Sequence, residues 1–306
     1  MGELRRRAAR LVIPVLAVGI VAALLLLPLP DPWSRGWRGS ILDLGHVPLF
    51  AALTLAWVRR DRSPLPPALC AAGLAGVAEL VQAGVGRNPD WGDFLRGVLG
   101  ALAAAAGVAA WRARRTPRRA AGFVLVVAGL LAWPLLDIGP RLLDAARGYR
   151  DFPVLADFRT DSELVRWEPA QAVLTRTADP DRPDGWVGRL ELQPGPEPYP
   201  GASLEPITGD FRGYRRLCCS FGVEGGPLEV VISVRSGAGE GRPTTHYQTG
   251  RVYGSGPHTV RLELPEVAPR ARPRPLDLSD VRAVQFFTTD LTQPRTMLIR
   301  AVWLER

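Results

Sequence analysis

Asp43, His46, Glu79 and Asp93 stand inside stretches otherwise apolar enough to cross a bilayer. A charge at helix-centre depth costs about 2.5–3.5 kcal/mol on insertion scales, so an ionisable side chain in such a stretch marks a functional site or a paired partner. On helices, Asp43 with His46, Glu79 with Gln82, Asp90 with Asp93, and Asp93 with Arg96 share faces at a spacing of three residues, where side chains meet. Imidazole among carboxylates suits general acid–base work: His46 moves a proton, Asp43 or Glu79 orients its second ring nitrogen, and Arg87 clamps a phosphate at headgroup level. Asp43, His46, Glu79 and Asp93 are therefore the candidate catalytic cluster, with Gln82, Arg87, Asp90 and Arg96 as candidate substrate contacts. A divalent ion ranks lower. One His with no nearby Cys is a thin ligand set for zinc, and the spacings match no familiar metal motif, so no metal and no cofactor are expected. A purely structural reading competes: polar pairs in helix bundles contribute only about 0.6 kcal/mol on average, and a His46–Asp43–Glu79 network would then lock three helices together.

Five apolar runs must position these residues: Leu11–Pro28, Ile41–Val58, Pro64–Val85, Trp91–Trp111 and Ala121–Ile138, each near the length that crosses a hydrocarbon core of about 30 Å. Twelve arginines sort to one side, namely Arg5, Arg6, Arg7 and Arg10, then Arg59, Arg60 and Arg62, then Arg112, Arg114, Arg115, Arg118 and Arg119. The opposite loops carry Arg35, Arg38 and Arg87. The positive-inside rule then places the N-terminus in the cytoplasm and everything after the fifth span outside, in an inner (plasma) membrane. Trp33, Trp37 and Trp91 fall at the outer ends of their spans, as belt residues do. A cleaved signal peptide over 11–28 is disfavoured, because the apolar run is long for an h-region and no small-x-small site follows. In this arrangement Asp43, His46, Glu79, Gln82, Asp93 and Arg96 all lie near the outer face, above a small-residue stripe of Gly97, Gly100, Ala104 and Gly107 that permits close helix approach.

The run Asp43-Leu-Gly-His46, then Glu79-Leu-Val-Gln82, then Arg87-Asn-Pro-Asp90-Trp-Gly-Asp93, with Gly100 beyond, resembles the VanZ-like family of small membrane proteins, named for a teicoplanin-resistance protein. Gly97 stands where the family pattern has Asn, and the stretch from Gln82 to Arg87 is one residue short of it. Residues 41–110 carry this resemblance. It implies a cell-envelope function connected with glycopeptide tolerance.

Beyond residue 138 the composition changes. Residues 139–150 read as a linker, and from Asp151 onward short runs alternate apolar and polar positions between Gly/Pro turns, among them Leu228–Val234, Val260–Leu264, Val281–Phe287 and Met297–Leu304. Several such runs in about 155 residues predict an all-β sandwich. Tyr199-Pro-Gly201, Asp210-Phe-Arg-Gly-Tyr214-Arg-Arg-Leu217 and Leu276-Asp-Leu-Ser-Asp280 resemble the jelly-roll carbohydrate-binding modules of galactose-binding-like fold. The resemblance implies glycan binding on a concave sheet or its loops, with His246, Tyr247 and Tyr253 as candidates by residue type. Cys218 and Cys219 are adjacent in an expected strand and point to opposite faces, so no bridge joins them; Cys219 shares parity with Leu217, Phe221 and Val223 and is the core candidate.

The net charge of +8 is not a nucleic-acid footprint. Residues 1–138 hold 16 Arg and 8 acidic residues, a difference of +8, while residues 139–306 hold 22 of each, and no lysine occurs. Phosphate loops, dinucleotide fingerprints, Gly-x-Ser-x-Gly elbows and His-Glu-x-x-His are missing from the sequence. The expected protein is a five-helix transmembrane bundle followed by an extracytoplasmic jelly-roll sandwich. It would recognise or modify a lipid-linked or glycan envelope component at the outer leaflet. The alternative is a non-catalytic envelope adaptor whose polar cluster only packs and whose sandwich binds glycan or a protein.

Overall fold

The structure, a computed structural model, describes residues 18–19, 36–59, 62–84, 90–196, 198–237 and 244–306. The chain divides into two compact units, Met1–Gly139 and Pro140–Arg306.

Among the described residues, three helices are long and apolar enough to cross a membrane, Leu65–Gly84 (α3), Trp91–Arg112 (α4) and Pro117–Asp151 (α5). The expected span over 41–58 falls on Gly36–Leu44 (α1) and His46–Trp57 (α2), joined by Gly45 in helical conformation, and Ile41–Trp57 is a shorter apolar helical stretch. Pro48 has no N–H to give the Leu44 carbonyl, so one ladder bond is missing there, while the Gly45 N–H bonds to both Ile41 and Leu42. The expected first span, 11–28, lies outside the described residues apart from Val18 and Gly19. Residues 139–150, expected as a linker, are helical and form the end of α5. Pro140 there forfeits one backbone bond, but Leu142, Leu143, Ala145 and Ala146 are good helix formers, and Ile138 and Ala145 are buried.

In the first unit α4 packs against both α2 and α3. The contact is built from Phe50 and Leu53 of α2, Ala68, Ala71 and Ala75 of α3, and Ala101 and Ala105 of α4. Large apolar side chains such as Leu69, Leu80, Leu125 and Leu136 point outward, as lipid-facing positions require. Side-chain size sets the approach: a Cβ at Gly97 would sit 2.8 Å from the Ala75 methyl and 2.9 Å from the Phe50 ring. A larger side chain such as Asn has no room in this packing. Of the expected small-residue stripe, Gly97 and Gly100 meet neighbours closely, whereas Gly107 faces open space.

The second unit is a two-sheet antiparallel β-sandwich. Its strands are β1 (Val154–Ala156), β2 (Trp167–Ala170), β3 (Ala172–Ala178), β4 (Trp186–Leu192), β5 (Gly201–Leu204), β6 (Arg216–Glu224), β7 (Leu228–Ser236), β8 (Thr245–Tyr253), β9 (Gly256–Glu263), β10 (Val281–Phe287) and β11 (Arg295–Glu305). One sheet runs β3-β4-β11-β6-β9 with β1 also on β11; the other runs β2-β5-β10-β7-β8. The inward positions of the two sheets, including Leu190, Leu204, Phe221, Ile232, Phe286 and Ile299, make one continuous core. Phe158 and Trp167 stack within it at 5.4 Å. Cys219 belongs to that core, and burial drives its thiol pKa up.

Glu163, buried in the short 3₁₀ turn Asp161–Arg166, accepts the Asp157 N–H at 2.7 Å and lies 3.8 Å from Arg166. Burial pushes its pKa up from 4.5 to about 7, even with the opposing hydrogen bonds and Arg166. A carboxyl whose folded pKa exceeds its unfolded one stabilises below the unfolded value and loses that contribution as pH rises through the folded value. Unfolding stability is therefore expected to fall by about 3 kcal/mol between pH 4.5 and 8 on this account. Glu163→Gln should flatten that slope in thermal melts followed by Trp fluorescence; an unchanged slope would assign it to other groups.

Candidate functional site

The helical unit gathers the ionisable residues at one place. His46, the first residue of α2, sets its Nδ1 3.1 Å from the Asp43 carbonyl oxygen and 3.5 Å from Asp93 Oδ1. Asp93 lies in the first turn of α4, where Asp90 is the N-cap and accepts the Gly92 N–H at 2.7 Å. The Asp90 N–H in turn donates to Glu79 Oε2 at 2.9 Å, which ties the buried end of α3 to the start of α4. Ligand atoms of His46, Glu79 and Asp93, one from each, lie within 4.8 Å of one another. Gln82 is buried one turn beyond Glu79. Arg96 donates to Asp93 at 2.8 Å and to Asp137 at 2.8 Å, and its guanidinium lies 6.0 Å from the Trp133 ring. The Asp43 side chain is half-buried beside this group, within electrostatic reach of Asp93, Arg96 and His46. Arg87 lies outside the described residues. Asp137, the second partner of Arg96, was not among the sequence candidates, although a carboxylate inside the fifth apolar run carried the same signal as the others.

In the sandwich, the outward face of the second sheet holds a depression of about 440 Å³. Its floor follows from strand parity. Glu168 of β2 is opposite Ser203 of β5, Ser203 opposite Gln285 of β10, Gln285 opposite Ser233 of β7, and Ser233 opposite Gln248 of β8. All five line the depression, so a single polar rung crosses the whole sheet. At about 4.8 Å per strand this rung is roughly 19 Å long. On one flank lie Arg235 and His246, which are themselves register partners; on the other lie Phe287 and Tyr199, whose rings meet edge to face at 5.4 Å. Gly201 makes room for them, because a Cβ there would stand 2.2 Å from the Phe286 carbonyl oxygen and 2.5 Å from Phe287.

Of the three β-domain candidates, His246 lines this depression. Tyr247 and Tyr253 pack against the core, and Tyr253 meets Phe221 edge to face at 5.0 Å. Tyr247 lies between exposed His246 and Gln248, so strand alternation turns it inward. The sequence signal for the missed residues is a lone polar side chain in an apolar run: Gln285 between Val284 and Phe286, Ser233 between Ile232 and Val234. The motif segments serve as scaffold, Phe211 being fully buried with its N–H on the Leu278 carbonyl at 2.7 Å.

The chain matches no family model and no curated protein. Among solved structures, its C-terminal half is similar to carbohydrate-binding modules. A family 11 module from Clostridium thermocellum, in complex with a β-1,3-1,4-mixed-linked tetrasaccharide, shares 13% identity, with coverage of 50% of this chain and 94% of that one and a TM-score of 0.41. A family 30 module of a cellulosomal cellulase of the same organism shares 14% identity over 45% of this chain and 92% of that one, TM-score 0.32. An exo-β-agarase shares 12% identity over 50% of this chain and 24% of its own, TM-score 0.40.

Proposed function

We propose that this chain is a multi-pass membrane protein of the cell envelope whose β-sandwich binds a glycan chain along the outward face of its second sheet. The observation that carries this reading is the polar rung Glu168–Ser203–Gln285–Ser233–Gln248. Carboxylate, amide and hydroxyl groups offer the donors and acceptors that sugar hydroxyls need, and Tyr199 and Phe287 offer an aromatic flank for the apolar faces of sugar rings. A length of roughly 19 Å suits a short extended oligosaccharide rather than a single sugar.

Finer parts of the reading rest on the sequence. The arginine distribution supports a cytoplasmic N-terminus and an outward sandwich, and the motif resemblance over 41–110 supports a VanZ-like core that engages a lipid-linked envelope component and affects glycopeptide tolerance. Reporter fusions after residue 306 test the orientation; activity of a cytosol-specific reporter would reverse it. Detergent-solubilised full-length protein screened against immobilised polysaccharides tests the binding. Gln285→Ala and Gln248→Ala are each expected to weaken retention at least tenfold, since each removes hydrogen bonds worth about 1.5 kcal/mol. Retention unaffected by both changes, or binding to no polysaccharide, would reject the rung as a glycan site.

A further inference from the structure

We propose that His46, Glu79 and Asp93 form a binding site for one divalent transition-metal ion, of the Mn²⁺ or Zn²⁺ kind. Sequence spacing argued against a metal because the three ligands come from three separate helices, α2, α3 and α4, and no local motif holds them. The fold supplies the convergence that spacing could not. A ring nitrogen of His46 and one carboxylate oxygen each from Glu79 and Asp93 lie within 4.8 Å of one another. Bonds of about 2.0–2.2 Å in tetrahedral geometry put ligand atoms about 3.4 Å apart, so the three side chains must draw together by up to about 1.4 Å to close on an ion.

Three further observations point to a cation. His46 Nδ1 lies 3.1 Å from the Asp43 carbonyl oxygen, which can only accept, and 3.5 Å from Asp93 Oδ1, and the ring's second nitrogen is Nε2. That Nε2 is buried and has no hydrogen-bond partner among the described residues. A metal-ligating His commonly has this backbone carbonyl at its other nitrogen. Glu79 is equally anchored: Oε2 takes the Asp90 N–H at 2.9 Å, while Arg96 grips Asp93 Oδ1 at 2.8 Å, so both carboxylates are oriented before any ion arrives. The charge balance also calls for a cation. Asp43, Glu79, Asp90, Asp93 and Asp137 surround a single guanidinium, Arg96, among the described residues of this group, and in an apolar helix bundle an uncompensated carboxylate is expensive. One imidazole with hard oxygen donors suits Mn²⁺ or Zn²⁺ better than the all-oxygen preference of Ca²⁺.

The test uses the full chain in detergent, stripped with chelator and titrated with Mn²⁺ while free Mn²⁺ is followed by electron paramagnetic resonance. One Mn²⁺ per chain is expected, displaced by Zn²⁺, with affinity reduced at least tenfold in Glu79→Gln and in His46→Gln. Because either variant can fail to fold, the wild-type protein gives a second readout: pulsed resonance of bound Mn²⁺ should show coupling to one imidazole nitrogen. Absence of stoichiometric Mn²⁺ and Zn²⁺ binding, bound Mn²⁺ without nitrogen coupling, or unchanged affinity in both variants would each overturn the site. The glycan reading concerns the other unit of the chain and stands or falls separately.

Discussion

Arg300→Ala is expected to destabilise the sandwich by about 3–5 kcal/mol, the cost of breaking a buried ion pair from one side. Arg300 in β11 and Asp179, just past β3, are both almost fully buried, and the guanidinium donates Nε to Asp179 Oδ2 at 3.0 Å and its terminal nitrogen to Oδ1 at 3.2 Å. The same side chain also grips Asp181. Gly222 of the neighbouring strand β6 leaves the space, for a Cβ there would stand 2.6 Å from the guanidinium. Among the described residues, removing Arg300 leaves the Asp179 carboxylate buried with the Asp181 N–H, at 3.0 Å, still donating to it. The pair matters less than its rupture: a double change of Arg300→Met with Asp179→Asn should recover most of the loss, because desolvating two charges offsets much of what their attraction supplies. pH gives a second check. Burial alone would raise Asp179, but hydrogen bonds from Arg300 and the Asp181 backbone hold its pKa below the usual 3.8. A depressed folded pKa stabilises above the unfolded value and loses that contribution as pH falls through the folded one. Wild-type protein should therefore lose stability below about pH 4, and the double variant should lose less. Thermal melts at pH 7 should drop by about 10 °C for Arg300→Ala, and a drop under about 2 °C would show that the charge is solvated.

The sequence makes the two-part architecture plain, because lipid-length apolar runs and period-two alternation are different patterns. Val281–Phe287 is expected as a strand with the bounds it adopts, since it combines β-branched and aromatic residues with clean turn signals on both sides. Strands β2 and β5 escape detection for identifiable reasons. Trp167–Ala170 contains Pro169, which usually demotes a strand and is tolerated at this sheet edge, and Gly201–Leu204 reads Gly-Ala-Ser-Leu, with little β signal of its own. These two strands complete the polar rung, so the groove could not be drawn from the sequence even though Gln285 and Ser233 were visible as misfits. In the helices, the charged residues stand out in the sequence while their partners do not. Three-residue spacing pairs Asp93 with Arg96, as observed, but nothing local joins His46 to Asp93 or Arg96 to Asp137, 41 positions away. Such pairings depend on helix rotation, which is set by packing against neighbours. Pro140 does not end the long helix that contains it, so the expected linker over 139–150 is helical.

Gly100→Ala should disrupt the helical unit, at about 3 kcal/mol, while Gly107→Ala, two turns further along α4, should be neutral. A Cβ at Gly100 would lie 2.1 Å from the Val47 carbonyl oxygen and 2.9 Å from that residue's carbonyl carbon and Cα. All three are backbone atoms of α2, so no rotamer change relieves the clash and the helices must part. Gly107 has nothing within 4 Å of its Cβ position, although it belongs to the same small-residue stripe in the sequence. The contrast tests the packing rather than a general need for glycine, since both substitutions favour helix intrinsically by up to about 1 kcal/mol. Separation of α2 from α4 also pulls His46 away from Asp93, because each sits in the first turn of one of these helices. Gly100→Ala protein recovered from membranes is therefore expected to be less abundant and, where folded, to hold Mn²⁺ at least tenfold more weakly than the Gly107→Ala protein. Equal abundance and equal Mn²⁺ affinity for the two variants would mean that α2 and α4 do not approach at Gly100, and the convergence of His46, Glu79 and Asp93 would lose its structural basis.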